Sequence, residues 1–407
     1  MLRKFTLLTR CLRTALLLAV FGAAAAHAAD AVQAEWDGGE RLVVIGDVHG
    51  DYDNYVAVLE EAGLINRRGN WAGGETHFVQ VGDVPDRGPD TDKIIEHLQR
   101  LERQAERAGG MVHALIGNHE FMNVTGDLRY VHPGEYEALT SRNSGRLRDA
   151  YYQQIVQATE ARNETLEEPV MIDDAFRDKW YAEFPLGYVE HRLTWQPGGD
   201  FNTWVSTHNS VIRINDMLFM HAGLGPDMLD KSITAINDTI RAEILGAYDY
   251  NNSLGDSQTG PLWYRGLAQN PEAAESEHVR SLLETYQVNT VIVGHTPDLG
   301  IITPRFGGSV IITDTGIAAY YGSHKGSLLV ENGQKFALQN GEYVPLPVDE
   351  EGIIPYFREM LELQLGNQRL AARIERLLNP PPEETAENVS ADFNNDVIEE
   401  AAEAVIE

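Results

Sequence analysis

Cysteine is almost missing from this chain: its 407 residues contain one, Cys11. Cys11 lies in an N-terminal stretch expected to be removed. The mature chain is therefore expected to form no disulfide, and chemistry that runs through a thiolate is excluded. Positive charge is scarce too, with 32 Lys and Arg against 62 Asp and Glu and a formal net charge of −30. Nucleic acid and anionic membrane surfaces both select for positive charge, so neither is an expected partner. Long apolar runs are also lacking. The stretch from Ala15 to Ala26 is apolar but too short to span a bilayer comfortably. Arg3, Lys4, Arg10 and Arg13 precede it, and Ala26-His27-Ala28 supplies small residues where a signal peptidase needs them. Residues 1–28 thus have the layout of a cleaved secretory signal, with an uncleaved anchor as the alternative. A periplasmic or secreted location is expected, without stable membrane insertion after cleavage.

The remaining chain alternates strand and helix patterns, an α/β arrangement. Leu42 to Ile45, Phe78 to Val81 and Met111 to Ile116 are short apolar runs that predict buried strands. Helical spacing follows the first two, over Tyr55 to Ala62 and Ile94 to Ala105. Residues 121–205 break this rhythm and are expected to form a largely helical cap, with helices over Arg142 to Thr159 and Ala175 to Phe184. Strands return at Ser210 to Ile214, Met217 to Met220, Val291 to Val293, Ser309 to Thr313, Leu328 to Val330 and Lys335 to Leu338. Asn332-Gly333 and Asn340-Gly341 suit tight hairpins. Within a C-terminal segment over 346–379, Phe357 to Leu378 reads as a single amphipathic helix. Residues 380–407 begin with three prolines and then carry acids without bases, which predicts a disordered tail.

Chemistry gathers at the ends of the strands. Five short motifs occur in order: GDVHG (Gly46 to Gly50), GDVPDRG (Gly82 to Gly88), GNHE (Gly117 to Glu120), MHAGL (Met220 to Leu224) and VGHTP (Val293 to Pro297). They supply Asp47, His49, Asp83, Asn118, His221 and His295. Hard carboxylate and amide oxygens with neutral imidazoles are the ligand chemistry of two divalent cations. Asp83 has two oxygens and is the candidate to bridge them, and Asn118 is a neutral ligand for the second ion. Manganese is the expected metal, with iron or zinc compatible. A water held between two such ions ionises near neutral pH, so a metal-bridged hydroxide is the expected nucleophile. That points to a phosphoester hydrolase.

Arg87 follows Asp83 by four residues, and a guanidinium matches two phosphate oxygens. Arg265 is the candidate second clamp, or else a stacking partner for the aromatic residues before it. His119 directly follows Asn118 and is the natural proton donor to a leaving oxygen, with Asp86 placed to hold its imidazole and raise its pKa. Asp314 reads either as support for the site or as a turn former. Tyr320 and Tyr321 read as core.

These motifs resemble the phosphoprotein phosphatase branch of the calcineurin-like metallophosphoesterases. Gly260-Pro-Leu-Trp-Tyr-Arg-Gly266 and Val293-Gly-His-Thr-Pro297 are most similar to the Shewanella-like protein phosphatases. The resemblance covers residues 41–345. It implies a β-sandwich flanked by helices with metals at its edge. It implies Asp47, His49 and His295 at one metal, Asn118 and His221 at the other, and Asp83 between them. Arg87 and Arg265 would bind phosphate, with His119 and Asp86 as the acid pair. The implied substrate is a phosphoprotein or phosphopeptide, including phosphotyrosine. Pro85 stands where the family usually has valine. Ala222 stands where protein phosphatases commonly have glycine, a feature shared with diadenosine tetraphosphate hydrolases. A nucleotidase or dinucleotide hydrolase therefore stays open, with Tyr136, Tyr151, Tyr152, Trp180 and Tyr181 as candidate base-stacking residues. So does a non-catalytic metal or phosphopeptide binder.

Overall fold

A computed structural model describes residues 32–379. The expected signal segment with Cys11, and the acidic tail from residue 380, lie outside the described residues. In chain order the strands are β1 (Glu35–Trp36), β2 (Arg41–Ile45), β3 (His77–Gln80), β4 (Met111–Ala114), β5 (Val211–Ile214) and β6 (Met217–Met220). Then come β7 (Thr290–Val293), β8 (Thr303–Arg305), β9 (Val310–Ile312), β10 (Ser327–Glu331), β11 (Gln334–Gln339) and β12 (Glu342–Pro345). They form two six-stranded sheets, ordered β12-β11-β10-β2-β3-β4 and β1-β5-β6-β7-β9-β8.

Strand direction is what places the chemistry. β2, β3 and β4 are mutually parallel, and so are β6, β7 and β9. Each trio therefore delivers its carboxyl ends to one edge of its sheet, where α/β proteins build sites. The apolar runs are continuous because both faces of each sheet are covered. Leu42, Val44, Val79, Val81, Phe219 and Ile292 face the space between the sheets. Val43, Ile45, Phe78, Leu218, Met220 and Val291 belong to the larger core on the outer faces. Helices α1 (Tyr52–Glu61) and α2 (Thr91–Ala108) contribute Tyr55, Leu59, Ile94 and Leu98 to that larger core. α2 stops at Gly109, whose φ of 83° lets its N–H reach the Ala105 carbonyl.

Residues 118–205 are helical: α3 (Asn118–Thr125), α4 (Pro133–Ala138), α5 (Ser144–Asn163), α6 (Asp174–Glu183), α7 (Tyr188–Trp195) and α8 (Asp200–Val205). Their own small core is Ile155, Trp180, Phe184 and Tyr188, with Tyr136, Tyr151, Tyr152 and Tyr181 packed against it. The aromatic residues considered for stacking a nucleotide base are thus engaged with one another. Helices α9 (Ile233–Ala242) and α10 (Glu272–Tyr286) were not visible as patterns, yet they pack Ile236, Ile240, Val279 and Leu282 onto the second sheet's outer core.

The single C-terminal helix expected over 357–378 is two helices, α11 (Ile353–Leu363) and α12 (Gln368–Leu378). Gly366 turns left-handed at φ 92°, and the Asn367 side chain accepts the Leu370 N–H to start the second helix. The hairpins read from Asn332-Gly333 and Asn340-Gly341 are present, with positive φ at all four residues. Phe219 is fully buried between the sheets, two residues before His221. Phe219→Ala should cost about 3–5 kcal/mol of unfolding free energy, measurable by denaturant titration.

Candidate metal centre and acid pair

The six candidate ligands converge on one buried pocket at the shared sheet edge, every one of them 4 % exposed or less. Asp47 and His49 follow β2, and Asp83 follows β3. Asn118 opens α3 after β4, His221 follows β6 and His295 follows β7. The loops are laced together, since the Val48 and His49 N–H groups both donate to the Asp83 carbonyl at 3.1 Å. Glycine is required at two of these turns by close approach. A Cβ on Gly117 would stand 2.2 Å from Asp83 Oδ1, and one on Gly294 would stand 2.5 Å from Asp47 Oδ1.

The hydrogen bonds on each imidazole show which nitrogen is available. His221 Nδ1 lies 2.9 Å from the Val81 carbonyl and His49 Nδ1 lies 3.1 Å from the Pro85 carbonyl. A carbonyl needs a donor, so each Nδ1 carries hydrogen and each neutral ring presents a bare Nε2. His221 Nε2 then faces Asn118 Oδ1 at 2.9 Å, His295 Nδ1 at 3.0 Å and Asp83 Oδ2 at 3.3 Å. His49 Nε2 stands 3.8 Å from Asp83 Oδ2 and 3.9 Å from Asp47 Oδ2. At His49 Nε2 and His221 Nε2 a lone pair thus faces carboxylate and amide oxygens, and His295 Nε2 is buried without a partner. Such a donor set fits divalent cations, whose positive charge turns those repulsions into attractions.

Charge reinforces this fit. Burial, then the neighbouring Asp314 and Asp83, pushes the Asp47 carboxyl well above its ordinary value. Burial pushes Asp314 up to about 7. Burial also pushes Asp83 up, but positive charge beside it, which in the metal-free protein only protonated His221, His119 and His49 could supply and which bound cations would replace, outweighs that and holds it well below the usual carboxylate range. Asp83 is thus the acid most ready to serve as an anion at the centre.

The His295 ring lies beside His221 and Asp83, within ligand-sharing distance of both. Only its backbone N–H reaches Asp47, donating to Oδ1 at 3.1 Å. His295 itself has a left-handed backbone, φ 66°.

His119 and Asp86 do meet. His119 Nδ1 and Asp86 Oδ2 are 2.5 Å apart, and His119 Nε2 lies 3.8 Å from Asp83 Oδ2. Burial lowers the His119 pKa, but Asp83 and Asp86 outweigh it and raise the net value. Arg265 Nη1 donates to the His295 carbonyl and to Thr296 Oγ1, each at 2.9 Å. Arg87 lies with its guanidinium carbon 4.1 Å from the Tyr130 ring centroid and 4.7 Å from that of Tyr320. Its Nη1 donates to the Tyr320 hydroxyl at 2.9 Å. Tyr320 is 43 % exposed and the Tyr321 ring lies tilted against His49 with centroids 5.3 Å apart, so neither packs in the core that was expected for them. Asp314 is both things weighed for it, accepting the Gly316 N–H at 3.0 Å while buried against Asp47.

Glu120 was missed. It is buried and its carboxylate accepts three backbone N–H groups: Gly117 at 2.7 Å, Val84 at 2.7 Å and Asp83 at 3.0 Å. The motif GNHE contained it, but its partners on the loop after β3 are far away in sequence.

The profile of the calcineurin-like phosphoesterases matches residues 40–299, so the chain belongs to that family and is a phosphoester hydrolase. Within the family it is similar to the Shewanella-like protein phosphatases. It is 31 % identical over 278 residues to Shewanella-like protein phosphatase 2 of Arabidopsis thaliana, which spans 66 % of this chain and 70 % of that one. It is 32 % identical over 312 residues to an uncharacterized protein of Schizosaccharomyces pombe, spanning 74 % and 80 %. The crystal structure of a cold-active protein-tyrosine phosphatase from a psychrophilic Shewanella superposes with a TM-score of 0.58 at 27 % identity, covering 80 % of this chain and 87 % of that one.

Glu120→Gln removes one of the carboxylate oxygens and turns an NH2 toward backbone donors. It should lower unfolding free energy by about 2–4 kcal/mol and weaken metal uptake. Denaturant titration and metal analysis after reconstitution would check both effects.

Proposed function

We propose that this enzyme is a protein phosphatase that acts on phosphorylated tyrosine or serine/threonine side chains with two divalent cations. Manganese is the proposed metal, with iron or zinc as substitutes. Residues 1–28 support an exported enzyme, periplasmic or secreted. Among the described residues no helix is long and apolar enough to cross a membrane. The observation that carries the reading is the pocket of opposed lone pairs around Asp83. His49 Nε2 and the Asp47 carboxylate face it from one side, and His221 Nε2, His295 Nδ1 and Asn118 Oδ1 face it from the other. Asp47, His49 and Asp83 would hold one ion, and Asp83, Asn118, His221 and His295 the second. Divalent cations at such a site make water nucleophilic at neutral pH and offset the charge of a transferring phosphoryl group.

The chain's own side chains supply the rest. Arg87 and Arg265 flank the pocket from opposite elements and bind the phosphoryl oxygens. Asp86 accepts from His119 Nδ1, which keeps the ring protonated and turns Nε2 toward the pocket. Nε2 then gives its proton to the departing oxygen. No protein nucleophile is required, and none of the described side chains in the pocket is a thiol.

Chelation should abolish hydrolysis of an aryl phosphate, and manganese should restore it. His119→Asn should cut turnover on substrates with poor leaving groups by about a hundred- to ten-thousand-fold while metal content stays at the wild-type level. Wild-type turnover in that variant would exclude the proton-donor role. A panel of phosphopeptides, nucleotides and diadenosine tetraphosphate tests the substrate class. Phosphopeptides should be turned over fastest, and a clear preference for the nucleotides would reject the protein phosphatase reading.

A further inference from the structure

Asn123 sits one helical turn after His119 on α3 and is fully buried. Its amide nitrogen donates to Asp86 Oδ1 at 3.0 Å and to the His119 carbonyl at 3.0 Å. Both partners are acceptors, so the amide orientation is fixed: the reverse would set oxygen against two oxygens. Asp86 is then held at three points. Oδ1 accepts from Asn123, Oδ2 meets His119 Nδ1, and its backbone N–H donates to Glu135 Oε1 at 3.1 Å. Asp86 also has a φ of 73°, a left-handed conformation that a residue with a Cβ keeps only when its surroundings impose it.

The support continues outward. Arg192 on α7 donates to the carbonyls of Asn123 and Val124, the latter at 3.2 Å. These are carbonyls of the last turn of α3, where a cation is electrostatically favoured. A chain of contacts therefore runs from the helical segment, through the end of α3, to Asp86 and the His119 ring.

We propose that Asn123 is a positioning residue for the proton donor: its amide fixes the Asp86 carboxylate so that His119 presents Nε2 to the leaving oxygen. This rests on the proton-donor role assigned to His119 above. Without the amide, Asp86 Oδ1 is a buried acceptor that has lost a partner, and rotation of the carboxylate releases the imidazole from its aim.

The test is the dependence of kcat on leaving-group pKa. A series of aryl phosphates from 2,4-dinitrophenyl to phenyl would be run on the manganese-reconstituted full chain, with Asn123→Ala, Asn123→Ser and His119→Asn. A good leaving group departs without a proton, so loss of aim shows only at the poor end. Asn123→Ala should lose about tenfold on phenyl phosphate and under about twofold on the dinitrophenyl ester, steepening the slope at unchanged metal content. Asn123→Ser retains a donor and should fall between Asn123→Ala and wild type. Should Asn123→Ala fail to fold or to take up metal, Asn123→Ser decides by the same slope. A uniform loss along the series, or a wild-type slope, in whichever variant folds overturns the positioning role. If His119→Asn steepens the slope and the Asn123 variants do not, only this inference fails. If none of the three steepens it, the proton-donor role falls first and this inference with it.

Discussion

The repulsion among buried groups at one end of the sandwich is the constraint from which the rest of the structure follows. Asp47, Asp83, Asp86, Glu120 and Asp314 are all 3 % exposed or less, and the imidazoles beside them offer lone pairs. Taking one carboxylate out of water is costly, and crowding several is costlier still. Some of that cost is met by donors: three backbone N–H groups on Glu120, the Gly316 N–H on Asp314 and an amide on Asp86. Those donors serve the periphery. At the centre, around Asp83 Oδ2, His221 Nε2 and His49 Nε2, the described residues crowd acceptor atoms together, a pattern that fits divalent cations.

Backbone strain concentrates at the same place. His49, Asp83, Asp86, Arg87 and His295 all have positive φ, although none is glycine. Each such residue costs on the order of 1–3 kcal/mol, and the neighbouring loops hold it there. The Asp83 carbonyl accepts two N–H groups from the loop after β2, Gly50 donates to Val84 at 2.8 Å, and Gly294 donates to the His221 carbonyl at 2.7 Å. The two sheets supply rigid ends, and the loops between them are bent until five motifs share one pocket. This explains why glycines stand directly before Asp47, Asp83, Asn118 and His295: a Cβ at any of the four would collide with backbone or with a ligand side chain.

That also sets what could be read from sequence. Gly-Asp, Gly-Asn and Gly-His pairs at the ends of apolar runs are local, so the strands, the family and the converging residues were visible. The neighbours of the His295 ring were not, because its contacts with His221 and Asp83 join residues far apart in sequence. Glu120 and Asn123 were adjacent to recognised motif residues, yet their roles lie in bonds to Val84 and Asp86, more than thirty positions away. Tyr320 and Tyr321 looked like core because two tyrosines after a strand usually are. Tyr321 instead lies beside His49 and Tyr320 beside Arg87, on a loop whose Ala319 N–H donates to the Asp51 carboxylate. The C-terminal helix read as continuous because its apolar spacing carries across the Gly366 break, where only the backbone changes hand.

The two arginines are held in ways that imply different work. Arg265 is tied to the His295 carbonyl and to Thr296, so its position is coupled to the strand end that also carries a candidate ligand. Arg87 lies between Tyr130, from the helical segment, and Tyr320, from the opposite loop, held by ring faces and one hydroxyl. Cation–π contacts at a half-exposed site are worth about 0.5–1 kcal/mol and tolerate sliding, whereas paired hydrogen bonds to fixed oxygens do not. Arg265 is therefore the more rigidly held of the two and Arg87 the more adjustable. A phosphoryl group reaching Arg87 would compete with the Tyr320 hydroxyl for Nη1, and exchanging a neutral acceptor for an anionic one would favour the phosphate. Tyr130 and Tyr320 would then line the approach to Arg87.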